Sequence, residues 1–176
     1  MTRIIAGEWR SHPLPRLKTG TVRPTTDRAR TILFDTLREV RNMDVLDLYS
    51  GTGALGFEAL SRGAASLVSI DRDAKYIRAQ KLWIQDRDKV YRAHIGEVMG
   101  VLKKIDGQFD LIFADPPYAD GLSDEVLRLI EDHSRVGTLF VHESARRDAS
   151  ELDSKIFDLW KEKVVAETKI QIYKAH

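Results

Sequence analysis

Apolar strand-like segments alternate with amphipathic helix-like segments along most of this chain. Helix patterns cover residues 25–41, 54–62 and 123–132, and a further helix pattern is capped by Asp71 or Asp73. The strand patterns cover residues 43–49, 66–70, 89–95, 109–115 and 138–144. Because parallel strands need crossover connections, this alternation predicts an α/β fold whose mostly parallel sheet is covered by helices on both faces.

The C-terminal strand patterns break this alternation. Residues 159–165 and 169–173 are separated by too few residues to hold a crossover helix, so we expect them to form an antiparallel hairpin. At the other end, Pro13, Pro15 and Gly20 interrupt residues 1–22, which we interpret as a short β-hairpin extension. The length predicts one domain over 1–176, made of this arm and a core over 23–176.

Positive charge is concentrated in the first 30 residues, which hold seven Lys and Arg against two acidic residues, a net +5. The whole chain has a net charge of +1, so the remainder carries −4. A basic arm on an acidic body is typical of a protein that contacts a nucleic-acid backbone, although a solvated arginine-rich terminus has the same composition.

Several classes of site and location are excluded or disfavoured by composition. The chain has no cysteine, which excludes disulfides and thiolate chemistry. Its five histidines lack metal-ligand spacing, so we expect no metal site. No run approaches membrane-spanning length and no secretory signal is visible, so we expect a cytoplasmic protein without a membrane partner.

A glycine-rich loop follows the first predicted core strand. Residues 47–56, DLYSGTGALG, match G-x-G-x-x-G at Gly51, Gly53 and Gly56 and precede a predicted helix. Asp71, at the end of the next strand and 20 residues after Gly51, is placed to accept both hydroxyls of a ribose. This arrangement predicts a nucleoside-containing cofactor. A nicotinamide dinucleotide needs a second nucleotide-binding half, whereas S-adenosylmethionine needs only one.

The segment Asp115-Pro116-Pro117-Tyr118 ends the apolar strand at 109–115. An exocyclic amine of a nucleobase is a poor nucleophile because its lone pair is delocalised into the ring. Two acceptors for its hydrogens, the Asp115 carboxylate and the Pro116 carbonyl stiffened by Pro117, can aim that lone pair outward, while Tyr118 stacks on the base. The alternative is a simple strand terminator.

Four segments together resemble the RsmD family of small-subunit (16S) ribosomal RNA guanine-N2 methyltransferases. They are RIIAGEWR, RPTTDRARTILFDTL, VLDLYSGTGALGFEALSRGA and FDLIFADPPY, at 3–10, 23–37, 45–64 and 109–118. The resemblance implies a class I, Rossmann-like methyltransferase sheet with an antiparallel final strand. It also implies S-adenosylmethionine as methyl donor and the small ribosomal subunit or its 16S RNA as partner. We expect a monomer.

The resemblance also assigns roles by position. The residues implied to bind the cofactor are Asp47, Tyr49, Ser50, Gly51, Gly53, Asp71, Arg72, Glu97 and Val98. Those expected to contact RNA are Arg3, Arg10, Arg23 and Arg28. The sequence departs from the family pattern at Gln80, where asparagine is usual, and at Glu97, where aspartate is usual.

The function predicted from these residues is methyl transfer to N2 of a guanosine in small-subunit ribosomal RNA. Two alternatives stay open from the sequence. One is the same chemistry on adenine N6 of RNA or DNA, because the Asp-Pro-Pro-Tyr segment suits either planar amine. The other is a non-catalytic ribosome-assembly factor that uses the fold only to bind RNA.

Overall fold

A mostly parallel sheet of seven strands forms the centre of the part of the chain that the computed structural model describes, residues 2–15, 26–117, 121–148 and 152–176. The strands are β1 (Asp44–Leu48), β2 (Ser66–Asp71), β3 (Val90–Ile95), β4 (Phe109–Ala114), β5 (Ser134–Ala145), β6 (Phe157–Val165) and β7 (Thr168–Ala175). The helices are α1 (Asp27–Leu37), α2 (Ala54–Ser61), α3 (Ala74–Ile84), α4 (Val98–Leu102) and α5 (Asp124–Asp132).

The strand order across the sheet is β3-β2-β1-β4-β5-β7-β6. The pairs β1–β2, β1–β4, β2–β3 and β4–β5 are parallel, whereas β7 runs antiparallel to both β5 and β6. The predicted parallel sheet with an antiparallel C-terminal hairpin is therefore confirmed. Strand β5 begins four residues earlier than the pattern indicated, and the five-residue helix α4 was not predicted.

Local capping chemistry determines where three of the helices begin. The side chains of Thr26, Asp73 and Ser123 accept hydrogen bonds from backbone N–H groups of the first turns of α1, α3 and α5, at 3.2, 3.0 and 3.3 Å. Between the two candidate caps of α3, the structure uses Asp73. Helix α1 ends before the predicted residue 41, because Arg38 adopts a φ of 66°, which cannot continue a helix.

Two hydrophobic cores lie on opposite faces of the sheet. The first packs α1, α2 and the N-terminal segment against the sheet, and includes Phe34, Phe57 and Phe113. The second packs α4 and α5 against the other face, and includes Phe140. Buried aliphatic side chains from β1, β2 and β4 enter both cores, as a sheet covered on both faces requires.

The tryptophans differ in their packing. Trp9 is 5% exposed and lies edge-on against Trp83 on α3, with ring centroids 5.4 Å apart, so Trp9 is a packing residue. Trp160, in contrast, is 43% exposed on the outermost strand β6. Strand β6 pairs on one side only among the described residues, and most of its side chains between Phe157 and Val165 are exposed.

Candidate active site

The carboxyl ends of three neighbouring strands bring the predicted functional segments together. Leu48, the last residue of β1, pairs with Ile70 of β2 on one side and with Ala114 of β4 on the other. Asp71 and Asp115 follow those partners, so they flank the glycine turn that follows β1. With strands about 5 Å apart, their backbones lie about 10 Å from one another across the turn. Ligands of open α/β sheets bind at this edge.

The turn after β1 is held in a tight left-handed conformation. Gly53, at the N-cap of α2, has a φ of 78°, and a Cβ atom there would lie 2.8 Å from the Phe57 ring. Tyr49 and Gly51 also have positive φ values, of 57° and 52°. The Ser50 N–H donates to the carbonyl of Ile70 at 3.0 Å, which ties the turn to β2. Because the glycines of this turn lack side chains, a ligand can approach its backbone closely at the strand ends.

Gln80 on α3 fixes this turn, a role that the sequence pattern did not reveal. Its Nε2 donates to Ser50 Oγ at 2.9 Å and to the Gly51 carbonyl at 2.8 Å. Its Oε1 accepts from the Tyr91 hydroxyl at 2.8 Å. Gln80 is fully buried, so these bonds keep their strength away from water. Gln80, which stands where asparagine is usual, therefore contacts the glycine turn directly.

Asp71 is oriented by two backbone donors. Its Oδ2 accepts from the Gly51 N–H and its Oδ1 from the Asp73 N–H, both at 2.8 Å. Burial raises the pKa of Asp71, and these two hydrogen bonds oppose that rise. Each carboxylate oxygen retains a second lone pair that can accept a further hydrogen bond. The residues present therefore fit a ribose whose two hydroxyls donate to one acid.

Asp47 lies beneath the turn and is 2% exposed. Its Oδ2 accepts from the Gly56 N–H, the first-turn amide of α2, at 3.0 Å. The pKa of Asp47 is raised to about 7, mainly by burial and also by the charges of Asp115 and Asp71, while the hydrogen bond from Gly56 opposes the rise. A nearby positive charge stabilises the ionised form of such a carboxyl group, and the sulfonium of S-adenosylmethionine carries one.

The predicted catalytic segment follows β4 directly. Asp115 is half-buried, Pro116 is buried and Pro117 is exposed. The Pro117 carbonyl accepts from the Gly121 N–H at 3.2 Å. Tyr118 lies outside the described residues, so its expected stacking on a base stays a prediction. The charge of Asp115 is one of the causes that raise the pKa of Asp47.

The residues predicted near the adenine lie at the ends of β2 and β3. The Gly96 N–H donates to the Asp71 carbonyl at 3.0 Å, which brings these two strand ends together. Arg72 and Glu97 form a solvent-exposed ion pair at 3.8 Å, whereas Val98 is buried at the start of α4. Exposed pairs of this kind rearrange at little cost, so either side chain is available to a ligand.

A buried carboxylate joins the N-terminal arm to the core, a connection that sequence reasoning missed. Glu58 on α2 is 0% exposed and accepts from the backbone N–H groups of Ile5 and Ala6, at 2.8 and 3.0 Å. It also accepts from Arg62 Nε at 2.8 Å and lies 3.9 Å from Arg30 Nη1. The acid thus satisfies two backbone donors and faces two guanidinium groups.

A second contact of the arm uses the end of α2. Ser61 Oγ accepts from the Trp9 N–H at 3.0 Å and donates to the Ala6 carbonyl at 2.6 Å. Gly7 passes so close that a Cβ atom would lie 1.9 Å from the Ser61 carbonyl oxygen, and its φ is 84°. Only glycine fits this approach. The arm itself shows an isolated antiparallel bridge between Arg3 and Pro13, as expected for a short hairpin.

Of the four arginines expected to contact RNA, Arg3, Arg10 and Arg28 lie in the described residues, and all three are exposed. Arg3 is exposed and donates to the Ser11 carbonyl at 2.8 Å, and Arg28 is exposed in the first turn of α1. Arg10 is exposed beside Trp9, at the end of α2 away from the glycine turn. Arg23 lies outside the described residues.

Arg30 was counted in the sequence only as part of the basic arm, yet it is 0% exposed. Its Nη2 donates to the Arg3 carbonyl and to Asp27, both at 2.7 Å. Its role is therefore to hold the arm.

Among residues 2–15, 26–117, 121–148 and 152–176, no cluster of three or more His, Cys, Asp or Glu suits a metal ion. Across the same ranges, no helix has the length and apolarity needed to cross a membrane.

The sequence of this chain is similar to a protein family and to named relatives. The family model described as conserved hypothetical protein 95 matches residues 2–174. Ribosomal RNA small subunit methyltransferase D of Escherichia coli (strain K12) is 33% identical over 176 residues, covering 97% of this chain and 88% of that protein. The protein of the same name from Haemophilus influenzae is 29% identical over 182 residues, covering 97% and 92%.

Solved structures show the same similarity. The structure of yhhF from Escherichia coli superposes with a TM-score of 0.85 at 30% identity, over 99% of this chain and 98% of that one. A structure from Haemophilus influenzae gives a TM-score of 0.81 at 27% identity, over 98% and 97%. Both likenesses extend over the arm and the sheet together.

Proposed function

Because this chain belongs to the RsmD family of ribosomal RNA small subunit methyltransferases, matched over residues 2–174, we propose that it methylates N2 of a guanosine in small-subunit (16S) ribosomal RNA. The observation that carries the proposal is the meeting of three segments at adjacent strand ends. These are Asp71 at the end of β2, the glycine turn after β1 and Asp115 with Pro116 after β4.

S-adenosylmethionine is the cofactor, and it supplies a methyl group already activated on a positively charged sulfur. Asp71 holds the ribose in this proposal, which is supported by the two backbone N–H groups that fix its carboxylate. Asp47, Tyr49, Ser50, Gly51 and Gly53 line the methionine end in this proposal. At the adenine end, the proposal uses Arg72, Glu97 and Val98.

Asp115 and Pro116 act on the nucleobase. The Asp115 carboxylate and the Pro116 carbonyl accept the two hydrogens of the N2 amine and direct the nitrogen lone pair towards the methyl group. The cofactor would supply the methyl group and would keep the electron pair of the broken C–S bond on its sulfur, while the N2 nitrogen forms the new N–C bond. The methylated amine then loses one proton, and Asp115 is the nearest proposed acceptor.

RNA binding in this proposal combines the arm with an extruded base. A guanine amine inside folded RNA reaches such a site only from a loop, or when the nucleotide leaves its stack. Arg3, Arg10, Arg23 and Arg28 supply phosphate contacts, and Glu58 holds the arm that carries the first two. The substrate is ribosomal RNA, free or within the small subunit.

The function is tested by incubating the protein with labelled S-adenosylmethionine and undermethylated small subunits, free ribosomal RNA or DNA, followed by mass spectrometry of the nucleosides. The expected product is N2-methylguanosine in small-subunit RNA. N6-methyladenosine as the only product would assign adenine instead. Cofactor binding without any product on these substrates would favour the RNA-binding assembly factor.

A further inference from the structure

Glu143 is a buried carboxylate at the carboxyl end of β5 that neither the cofactor assignment nor the transfer step uses. It is 2% exposed. Carboxylates are rarely buried to this degree, because removal from water costs several kcal/mol unless a function or a partner compensates. Its strand lies directly beside β4, the strand that Asp115 follows.

The strand register places Glu143 beside Asp115. Ala114, the last residue of β4, pairs with His142, so the next residues of the two chains are Asp115 and Glu143. Neighbouring strands are about 5 Å apart, which brings the two backbones within reach of one small ligand.

The two acids also share a face of the sheet. Phe113 and Val141, two residues before each acid, both enter the core of α1 and α2, and Glu143 pairs across with Ile170 of that same core. Because side chains alternate along strands, the acids are directed to the α1–α2 side, where Asp47 also bonds to Gly56.

We propose that Glu143 selects guanine by accepting the N1–H of the target base while Asp115 holds the adjacent N2 amine. This inference rests on the proposed function. Guanine presents N1–H and the N2 amine side by side on one edge, and two neighbouring carboxylates are complementary to that pair of donors. Adenine carries an acceptor at N1, which a carboxylate repels, so the same arrangement rejects adenine N6.

Burial of Glu143 strengthens this discrimination. A hydrogen bond to a charged group away from water costs more to leave unmade than one at the surface. The Glu143 carboxylate is 2% exposed, so a nucleobase contacts it only if the neighbouring residues move. Base binding is therefore coupled to a local rearrangement.

The test uses a base that keeps the reactive amine but lacks N1–H. RNA is prepared with 2-aminopurine at the guanosine that mass spectrometry identifies as the target, and is assembled into subunits if free RNA is not methylated. The wild-type protein should have a kcat/KM on guanine at least about tenfold above that on 2-aminopurine. If the wild-type kcat/KM on guanine exceeds that on 2-aminopurine by less than about twofold, the proposal is overturned, and no variant is needed for this result.

The variant Glu143→Gln should lower this preference by about tenfold, because an amide can either accept from N1–H or donate to a bare N1. Glu125→Gln, an exposed change on α5, is the matched control and should retain the wild-type ratio. A Glu143→Gln protein with wild-type ratio and wild-type cofactor affinity would refute the role of Glu143. In that outcome the wild type still forms N2-methylguanosine. If the proposed function fails, the wild type itself forms no N2-methylguanosine.

Discussion

Replacing Asp47 with asparagine should change how the stability of the unliganded protein depends on pH. Asp47 is 2% exposed, and burial is the main cause that raises its pKa from 3.8 to about 7. The folded protein therefore retains a proton that the unfolded chain releases near pH 4. This stabilising contribution is fully present at low pH and is lost as pH rises to about 7. Asparagine stays neutral and can still accept from Gly56.

The magnitude follows from the two pKa values. The interval between 3.8 and about 7, at about 1.4 kcal/mol per pH unit, amounts to about 4 kcal/mol. Asp115 and Asp71 contribute to the raised pKa, so any protonation of these neighbours reduces the effect and makes 4 kcal/mol an upper bound.

The measurement is urea unfolding of wild type and Asp47→Asn at intervals from pH 4 to pH 8. The free energy of unfolding of the variant, relative to wild type, should increase with pH by about 1.4 kcal/mol per unit and level off above about pH 7. Asp106→Asn, an exposed change, is the control and should remain parallel to wild type. Parallel curves for Asp47→Asn and wild type would refute the buried, protonated state of Asp47.

Four further substitutions test the site and the arm. Asp115→Ala should reduce methyl transfer by at least about 100-fold with cofactor affinity unchanged by calorimetry, and turnover near wild type would contradict its role. Asp71→Ala should weaken S-adenosylmethionine binding by about tenfold or more, and equal affinity would remove the ribose assignment. Neutralising Arg10 and Arg23 together should lower RNA affinity and reduce its salt slope by about 1 to 2, and an unaltered slope would argue against phosphate contacts. Glu58→Gln should lower the free energy of unfolding by about 3 kcal/mol in urea, and a loss below 0.5 kcal/mol would show that the buried ion network contributes little.

Local rules accounted for much of what was predictable from sequence. The helix caps Asp73 and Ser123, the glycine turn and the closely spaced β6 and β7 all depend on residues near one another in the chain. The meeting of Asp71 and Asp115 was also predictable, because the carboxyl ends of parallel strands share one edge. Roles of individual side chains at that edge stay predictions.

Connections between distant segments could not be predicted in this way. Glu58 reaches Ile5 across 53 residues, and Gln80 joins Ser50 to Tyr91. A glutamate in a helix pattern, or a glutamine beside charged residues, is normally solvent-exposed, and nothing in the local sequence distinguishes these two. Only the packing of α2 and α3 on one face of the sheet shows why they are buried.

Helix α2 links the glycine turn to the N-terminal arm as a single rigid spacer. Its first residue follows the glycine turn, and its last, Ser61, bonds to the arm beside Arg10. Eight helical residues span about 12 Å, which sets the separation between the glycine turn and the part of the arm beside Arg10. An RNA whose phosphates and extruded nucleotide match that offset engages both at once, whereas a pliable single strand must first be ordered at an entropic cost. Under the proposed function, this spacing favours RNA whose shape is already set.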